Sequence, residues 1–273
     1  MATEDHPLVV LAGDPTGSRL GLDLPAGTTV HGCGDAGRPI LWISVTEPPA
    51  ALWETLRAQH TRTGLWPLLL EGLRDDEPNR PWRTGELHPD PAAPDPAVHD
   101  VDAVLARRWR DVLPVKDEER AAIVPFGEGW PGLAAPGTLR EDPDACAAEW
   151  ACFIVLESWL TAPRIGLVPS ARGADTLTDL GWRGPVNRES DMTTFSAVLR
   201  SWEDRFGARV VALGFATLYV SVAAPPTDRD HALRVAAEHL AFCPDNVRAS
   251  DTPTLDAYAE TLVDLDLWSF WWD

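Results

Sequence analysis

Leu267-Trp268-Ser269-Phe270-Trp271-Trp272-Asp273 is the stretch from which the rest of the chain can be ordered. Terminal residues stay poorly ordered unless something ties them down. Leaving one large apolar side chain in water forgoes about 1.5–3 kcal/mol of burial. So much aromatic surface therefore predicts a buried strand that closes a domain. Strand alternation puts Trp268, Phe270 and Trp272 on one face and Leu267, Ser269 and Trp271 on the other. Apolar residues on both sides predict that both faces are covered, the second by the N-terminal half or by a partner protein.

Working back from this strand, helix signals alternate with β-rich runs. A helix is expected from Pro253 to about Val263, capped by Thr252, and another from Asp228 to Phe242. Arg209–Phe215 and Thr217–Val222 read as a hairpin. Asp191 caps a helix whose Phe195, Val198, Leu199, Trp202 and Phe206 share one face, and Gly207 stops it. Asp175–Leu180 forms a short helix before Gly181, and Arg164–Val168 a strand. The resulting order is strand, helix, strand, strand, helix, extra helix, strand. It predicts an α+β fold, with a ferredoxin-like split βαβ C-terminal part carrying an added helix. A mixed α/β N-terminal part packs against it, with the division near Pro163 (1–160 and 164–273).

The N-terminal part is less regular. Leu8–Ala12 and Ile40–Val45 read as strands around a glycine-rich, hairpin-like stretch. Pro48-Pro49 opens a helix bearing Leu52, Trp53 and Leu56, and Gly64 stops it. Leu65–Leu70 follows as a strand, with Pro67 expected at its start or at a sheet edge. Residues 74–100 form a long Pro- and Asp-rich loop. A helix then carries Val101, Val104, Leu105, Trp109 and Val112. Residues 125–141 are again a loop, and Asp142-Pro143 starts a helix running to about Leu160.

Composition narrows the function classes. A formal charge of -19 opposes nucleic-acid binding, which needs clustered Lys and Arg. It suits a soluble protein or one with a basic partner. The 13 Trp imply aromatic-rich cores or an aromatic binding surface. Cys33, Cys146, Cys152 and Cys243 have no CxxC spacing and make no disulfide framework. The first residues lack the basic and apolar segments of a signal peptide. The apolar run Cys152–Leu156 is too short to span a bilayer. These features together place the chain in a reducing cytoplasm, with free thiols and no membrane partner.

Few residues suggest chemistry. Glu238, His239, Cys243 and Asp245 cluster in EHLAFCPD, and His239 and Cys243 are one helical turn apart. They could begin a zinc site or a Cys–His pair, but the further ligands and the orienting group are missing nearby. A packed thiol and a satisfied helix histidine explain the same residues, so no metal or cofactor is assigned. His31-Gly32-Cys33 is an isolated HxC in a turn, and Gly13-Asp14-Pro15-Thr16-Gly17-Ser18 lacks P-loop spacing. Asp273 beside Trp271 and Trp272 could grip a cation, or could be a solvated last residue. Trp182, Arg183 and Asn187 in LGWRGPVN lie in a loop that could line a cleft, or make an ordinary turn.

RIGLVPS, LGWRGPVN, LRSWEDRFGARVVALGF, AAPP, EHLAFCPDN and WSFWWD together resemble an uncharacterised bacterial family, domain of unknown function 4253. The resemblance covers Arg164 to Asp273. It implies that this part is a unit and brings no catalytic residue with it. The leading expectation is a non-enzymatic, acidic, tryptophan-rich cytoplasmic binding protein, an immunity- or antitoxin-like neutraliser of a basic partner. The rival is an enzyme or metal-binding protein using Glu238–Asp245. A third possibility is small-ligand binding between the two halves at Trp182 and Asn187.

Overall fold

The fold is described from a computed structural model, over residues 6–33, 38–74, 76–113, 120, 123–248 and 254–273. Seven strands form one sheet in the order β1-β2-β4-β3-β5-β6-β7. They are β1 (Gly27–His31), β2 (Pro39–Ser44), β3 (Leu65–Leu70), β4 (Arg164–Pro169), β5 (Ala208–Leu213), β6 (Thr217–Val222) and β7 (Leu267–Trp271). Neighbours pair antiparallel except β3 and β5, which are parallel.

Helices cover both faces, because the central strands are apolar on both sides. On one face Trp42, Leu65, Leu69, Ile165, Leu167 and Val211 pack in a core with α1 (Pro7–Gly13), α2 (Leu52–Ala58) and α5 (Pro143–Leu156). A short α3 (His60–Thr63) follows α2, and Gly64 ends it. On the other face Leu41, Ile43, Trp66, Leu68, Leu70 and Val168 join residues of α4 (Val101–Asp111), α6 (Thr176–Leu180) and α7 (Met192–Phe206). Residues of α8 (Arg229–Phe242), α9 (Asp245–Arg248) and α10 (Leu255–Leu262) complete that core.

The C-terminal elements follow the expected order, and the expected caps act. Asp142, Asp191 and Asp228 each accept backbone N–H groups at a helix start, and Gly181 and Gly207 end helices in the left-handed conformation. Thr254 caps α10; Thr252 and Pro253, the expected cap and start, lie outside the described residues.

Three expectations are corrected. Leu8–Ala12 is helical: Pro7 occupies the first turn, and Leu8 and Leu11, three apart, form its buried face. Pro67 sits inside a central strand. It fits because pairing of β3 with β5 is confined to Leu69 and Leu70, so no ladder bond needs its missing N–H. The strand order departs from the ferredoxin-like split βαβ. β4 and β5, which should be parallel, are separated by β3 and run antiparallel. The split arrangement instead occurs in β2-α2-β3, whose parallel strands flank β4. The coarser description holds: a mixed α and β fold with N- and C-terminal parts, their strands interleaved in one sheet.

Ion pairs add to the join. Asp144 of α5 accepts from Arg57 of α2 and Arg209 of β5, both at 2.8 Å. Arg57 also lies over the Trp66 ring at 4.4 Å.

At the far edge, β7 buries Trp268, Phe270 and Trp272, as the alternation predicts. Trp202 stacks on Phe270 at 5.4 Å and meets Trp268 edge-on at 5.4 Å. The second face is less covered than expected: Ser269 is exposed and Trp271 is 41% exposed. The outer backbone edge is closed by side chains. Asn246 Nδ2 donates to the Ser269 carbonyl at 2.6 Å, and its Oδ1 accepts from Trp271 N at 3.3 Å. Cys243 Sγ donates to the Trp271 carbonyl at 2.9 Å. Natural sheets often cover such an edge against pairing with another chain.

Candidate functional site

Three of the seven residues singled out in the sequence meet in one cleft. Trp182, Asn187 and Asp273 line a cavity of about 570 Å³ together with Phe215, Trp272, Arg183 and, from the N-terminal part, Pro81, Glu86 and Leu87. The cleft forms because α6 stops at Gly181, whose positive φ turns the chain into the 182–190 loop. A side chain at 181 would strike the backbone of His88, and His88 N–H donates to the Gly181 carbonyl at 2.9 Å. The N-terminal loop is thus seated directly on the turn.

The cleft has an apolar wall and a polar rim. Trp182 is anchored by its indole N–H, which donates to the Gly214 carbonyl at 2.9 Å, and meets Trp272 edge-on at 5.7 Å. Arg80 lies 4.9 Å over the Phe215 ring and binds Glu86 through Nε at 2.8 and 2.9 Å, which occupies that carboxylate. Arg183, Asn187 and Asp273 are exposed. Asn187 Nδ2 lies 3.4 Å from the Asp273 carbonyl, at the limit of a hydrogen bond. Neither Arg183 nor Asp273 has an ion-pair partner among the described residues. LGWRGPVN supplied the sequence signal for one wall. Glu86 and Phe215 went unnoticed, since nothing local connects them with that loop.

The other four singled-out residues serve the interior. Glu238 is fully buried and accepts four hydrogen bonds: Ala134 N at 2.7 Å, Trp202 Nε1 at 2.8 Å, and Arg205 at 2.8 and 2.6 Å. His239 is caged by Trp202, Tyr258, Trp268 and Phe270, with Nδ1 3.0 Å from the Tyr258 hydroxyl. The Cys243 thiol also reaches Asn246 Oδ1 at 3.3 Å, and burial pushes its pKa up to about 12, which keeps it protonated. Asp245 pairs with Arg188 at 2.7 Å and accepts from Asp273 N at 3.3 Å. Among the described residues no three His, Cys, Asp or Glu side chains are grouped to hold a metal ion. Asn246, which joins Cys243, Tyr258 and β7, was not singled out, because its role requires the fold.

Burial of His239 has a pH consequence. Desolvation depresses its pKa to about 3 from 6.5. The folded state holds the ring neutral, so its contribution is complete above pH 6.5 and declines as pH falls toward 3. At about 1.4 kcal/mol per unit, about 3 kcal/mol is lost by about pH 4. Urea titrations should show a steep acid limb that His239→Leu flattens; an equally steep limb in the variant would exclude this cause. Asp179 works in the opposite direction. Burial raises it to about 6 despite the Ser170 hydroxyl, so its penalty grows as pH rises from 3.8 through 6.

A second hollow, of about 440 Å³, is lined by Arg57, His60, Arg172 and Arg209. Its guanidinium groups are matched by Asp144, Glu203 and Asp204 at 2.6–2.8 Å, which makes it a tie between elements.

No helix among the described residues is long and apolar enough to cross a membrane. Comparison with curated proteins and with solved structures found no match. Residues 164–273, which contain β4 to β7 and most of the cleft lining, match the family described as Domain of unknown function (DUF4253).

Proposed function

We propose that this chain is a non-enzymatic binding protein that neutralises a basic protein partner, in the manner of an immunity protein or antitoxin. One observation carries the reading: an exposed aromatic ridge on α5. Trp150, Phe153 and Trp159 pack against one another at 5.3–6.0 Å, yet Phe153 is 41% and Trp159 49% exposed. Leu156 beside them is 67% exposed. Clustered exposed apolar groups mark interaction sites more often than scattered ones.

The ridge is a built feature. Ser158 takes a left-handed φ of 52°, and the chain folds back so that Trp159 rejoins the helix, its N–H donating to the Ile154 carbonyl at 3.1 Å. A left-handed backbone at a non-glycine residue is strained and persists where the surroundings enforce it. Exposed Glu149, in the middle of α5, and exposed Glu157, at its C-terminal end, stand four residues before and after Phe153, within an overall charge of -19. Aromatic rings among carboxylates suit Arg- and Lys-bearing surfaces, through cation–π contact and steering.

The test compares wild type with the F153S/W159S double variant as immobilised bait. A basic protein should be retained by the wild type at about 50 mM salt and released at about 500 mM, where exposed charges are screened. The double variant, with unchanged melting temperature, should fail to retain it. Equal retention by both baits, or no salt-sensitive basic protein on the wild type, overturns the proposal.

A further inference from the structure

We infer that the cleft between the 81–88 loop and the 182–187 loop binds a free α-amino acid with a large apolar side chain. The site is separate from the α5 ridge, and the inference stands whether or not the ridge docks a partner.

The lining divides by chemistry. Phe215 and Val186 give the accessible apolar surface, backed by the buried Trp182, Trp272, Pro81 and Leu87, in a volume of about 570 Å³. Pockets of this size, mostly apolar with a few placed polar groups, are typical of small-ligand sites. Trp182 is locked by Gly214 and by its edge contact with Trp272, so this wall is preorganised.

The rim selects the charge. Glu86 is already held by Arg80 and by the Thr84 hydroxyl. Besides the His88 imidazole, this leaves one guanidinium, one side-chain carboxylate and one amide available, on Arg183, Asp273 and Asn187. A ligand with only a carboxylate would use Arg183 and leave Asp273 facing it. A ligand with only an amine would do the reverse. A zwitterion uses both: its carboxylate binds Arg183 and Asn187, and its ammonium binds Asp273. The end of a peptide carries only one of the two charges on its α-carbon, so it fits less well than a free amino acid.

The experiment is isothermal titration of the full chain with L-phenylalanine, 3-phenylpropionate and phenethylamine. L-Phenylalanine is expected to bind with a Kd of about 1 mM or tighter, at least about tenfold tighter than either analogue. Arg183→Ala should reduce L-phenylalanine to the affinity of the amine, and Asp273→Asn to that of the acid. Both positions are exposed, so unchanged melting curves are expected to accompany the loss. No heat from L-phenylalanine up to about 10 mM overturns the inference. So does an analogue that binds as tightly as the amino acid, as a peptide end would, or an unchanged Kd in both variants.

Discussion

Deleting residues 268–273 is expected to remove most of the stability of the whole protein. Trp268, Phe270 and Trp272 are each at most 4% exposed. At about 1.5–3 kcal/mol per side chain, the lost burial amounts to about 5–9 kcal/mol. Domains of ordinary stability hold only about 5–15 kcal/mol in total. The deletion also uncovers β6, whose Leu218, Val220 and Val222 lie in the same core, and strips Asn246 and Cys243 of their strand partners. In a thermal melt the truncated chain should unfold at least about 10 °C lower or show no cooperative transition. Trp271→Ser, at the exposed position of the same strand, should change stability by less than about 1 kcal/mol. A truncated chain with the wild-type melting temperature would exclude β7 as a structural strand.

Glu238→Ala should cost about 3–5 kcal/mol, the range for breaking a buried ion pair from one side. The carboxylate is the single acceptor on which Arg205, the Trp202 indole and the Ala134 amide converge. Its removal leaves a guanidinium and two N–H groups without that acceptor in the interior. Glu238→Gln keeps the shape and part of the hydrogen bonding, so its cost should be smaller. The double variant R205M/E238L removes the uncompensated charge and should recover part of the loss. Full recovery is not expected, since Trp202 Nε1 and Ala134 N would still lack a partner. Equilibrium urea unfolding measures all three. A Glu238→Ala variant within about 1 kcal/mol of wild type would mean that the pair contributes little.

These two cases show how far local pattern reaches. Glu238 stood out in the sequence as a member of a cluster with His239, Cys243 and Asp245. Its partners come from residues 134, 202 and 205, which no local spacing connects with it. In the fold its carboxylate is a buried acceptor that ties these three segments together. For the cleft the opposite holds. Trp182 and Asn187 were legible as a loop aromatic and amide, and Asp273 as a carboxylate beside tryptophans. Their convergence depends on β7 ending next to the 182–187 loop and on His88 docking at Gly181.

The amino-acid order alone settled features governed by neighbours within about one helical turn. Asp142, Asp191 and Asp228 marked helix starts, Gly64, Gly181 and Gly207 marked stops, and alternation in WSFWWD assigned Trp268, Phe270 and Trp272 to the core. Caps and side-chain alternation are short-range, so the residues that cause them lie beside one another. Leu8–Ala12 marks the limit, since a short apolar run suits strand or helix equally and packing chose helix. Strand neighbours were settled only in three dimensions. LWPLLL read as a strand with Pro67 at its start or edge, and nothing in it said that β4, about a hundred residues later, would lie on one side and β5 on the other. Backbone pairing uses the same N–H and C=O groups at every residue, so the choice of neighbour rests on how two apolar faces are jointly covered. That joint packing placed β3 inside the expected C-terminal sheet, and with it decided which loops meet to form the cleft.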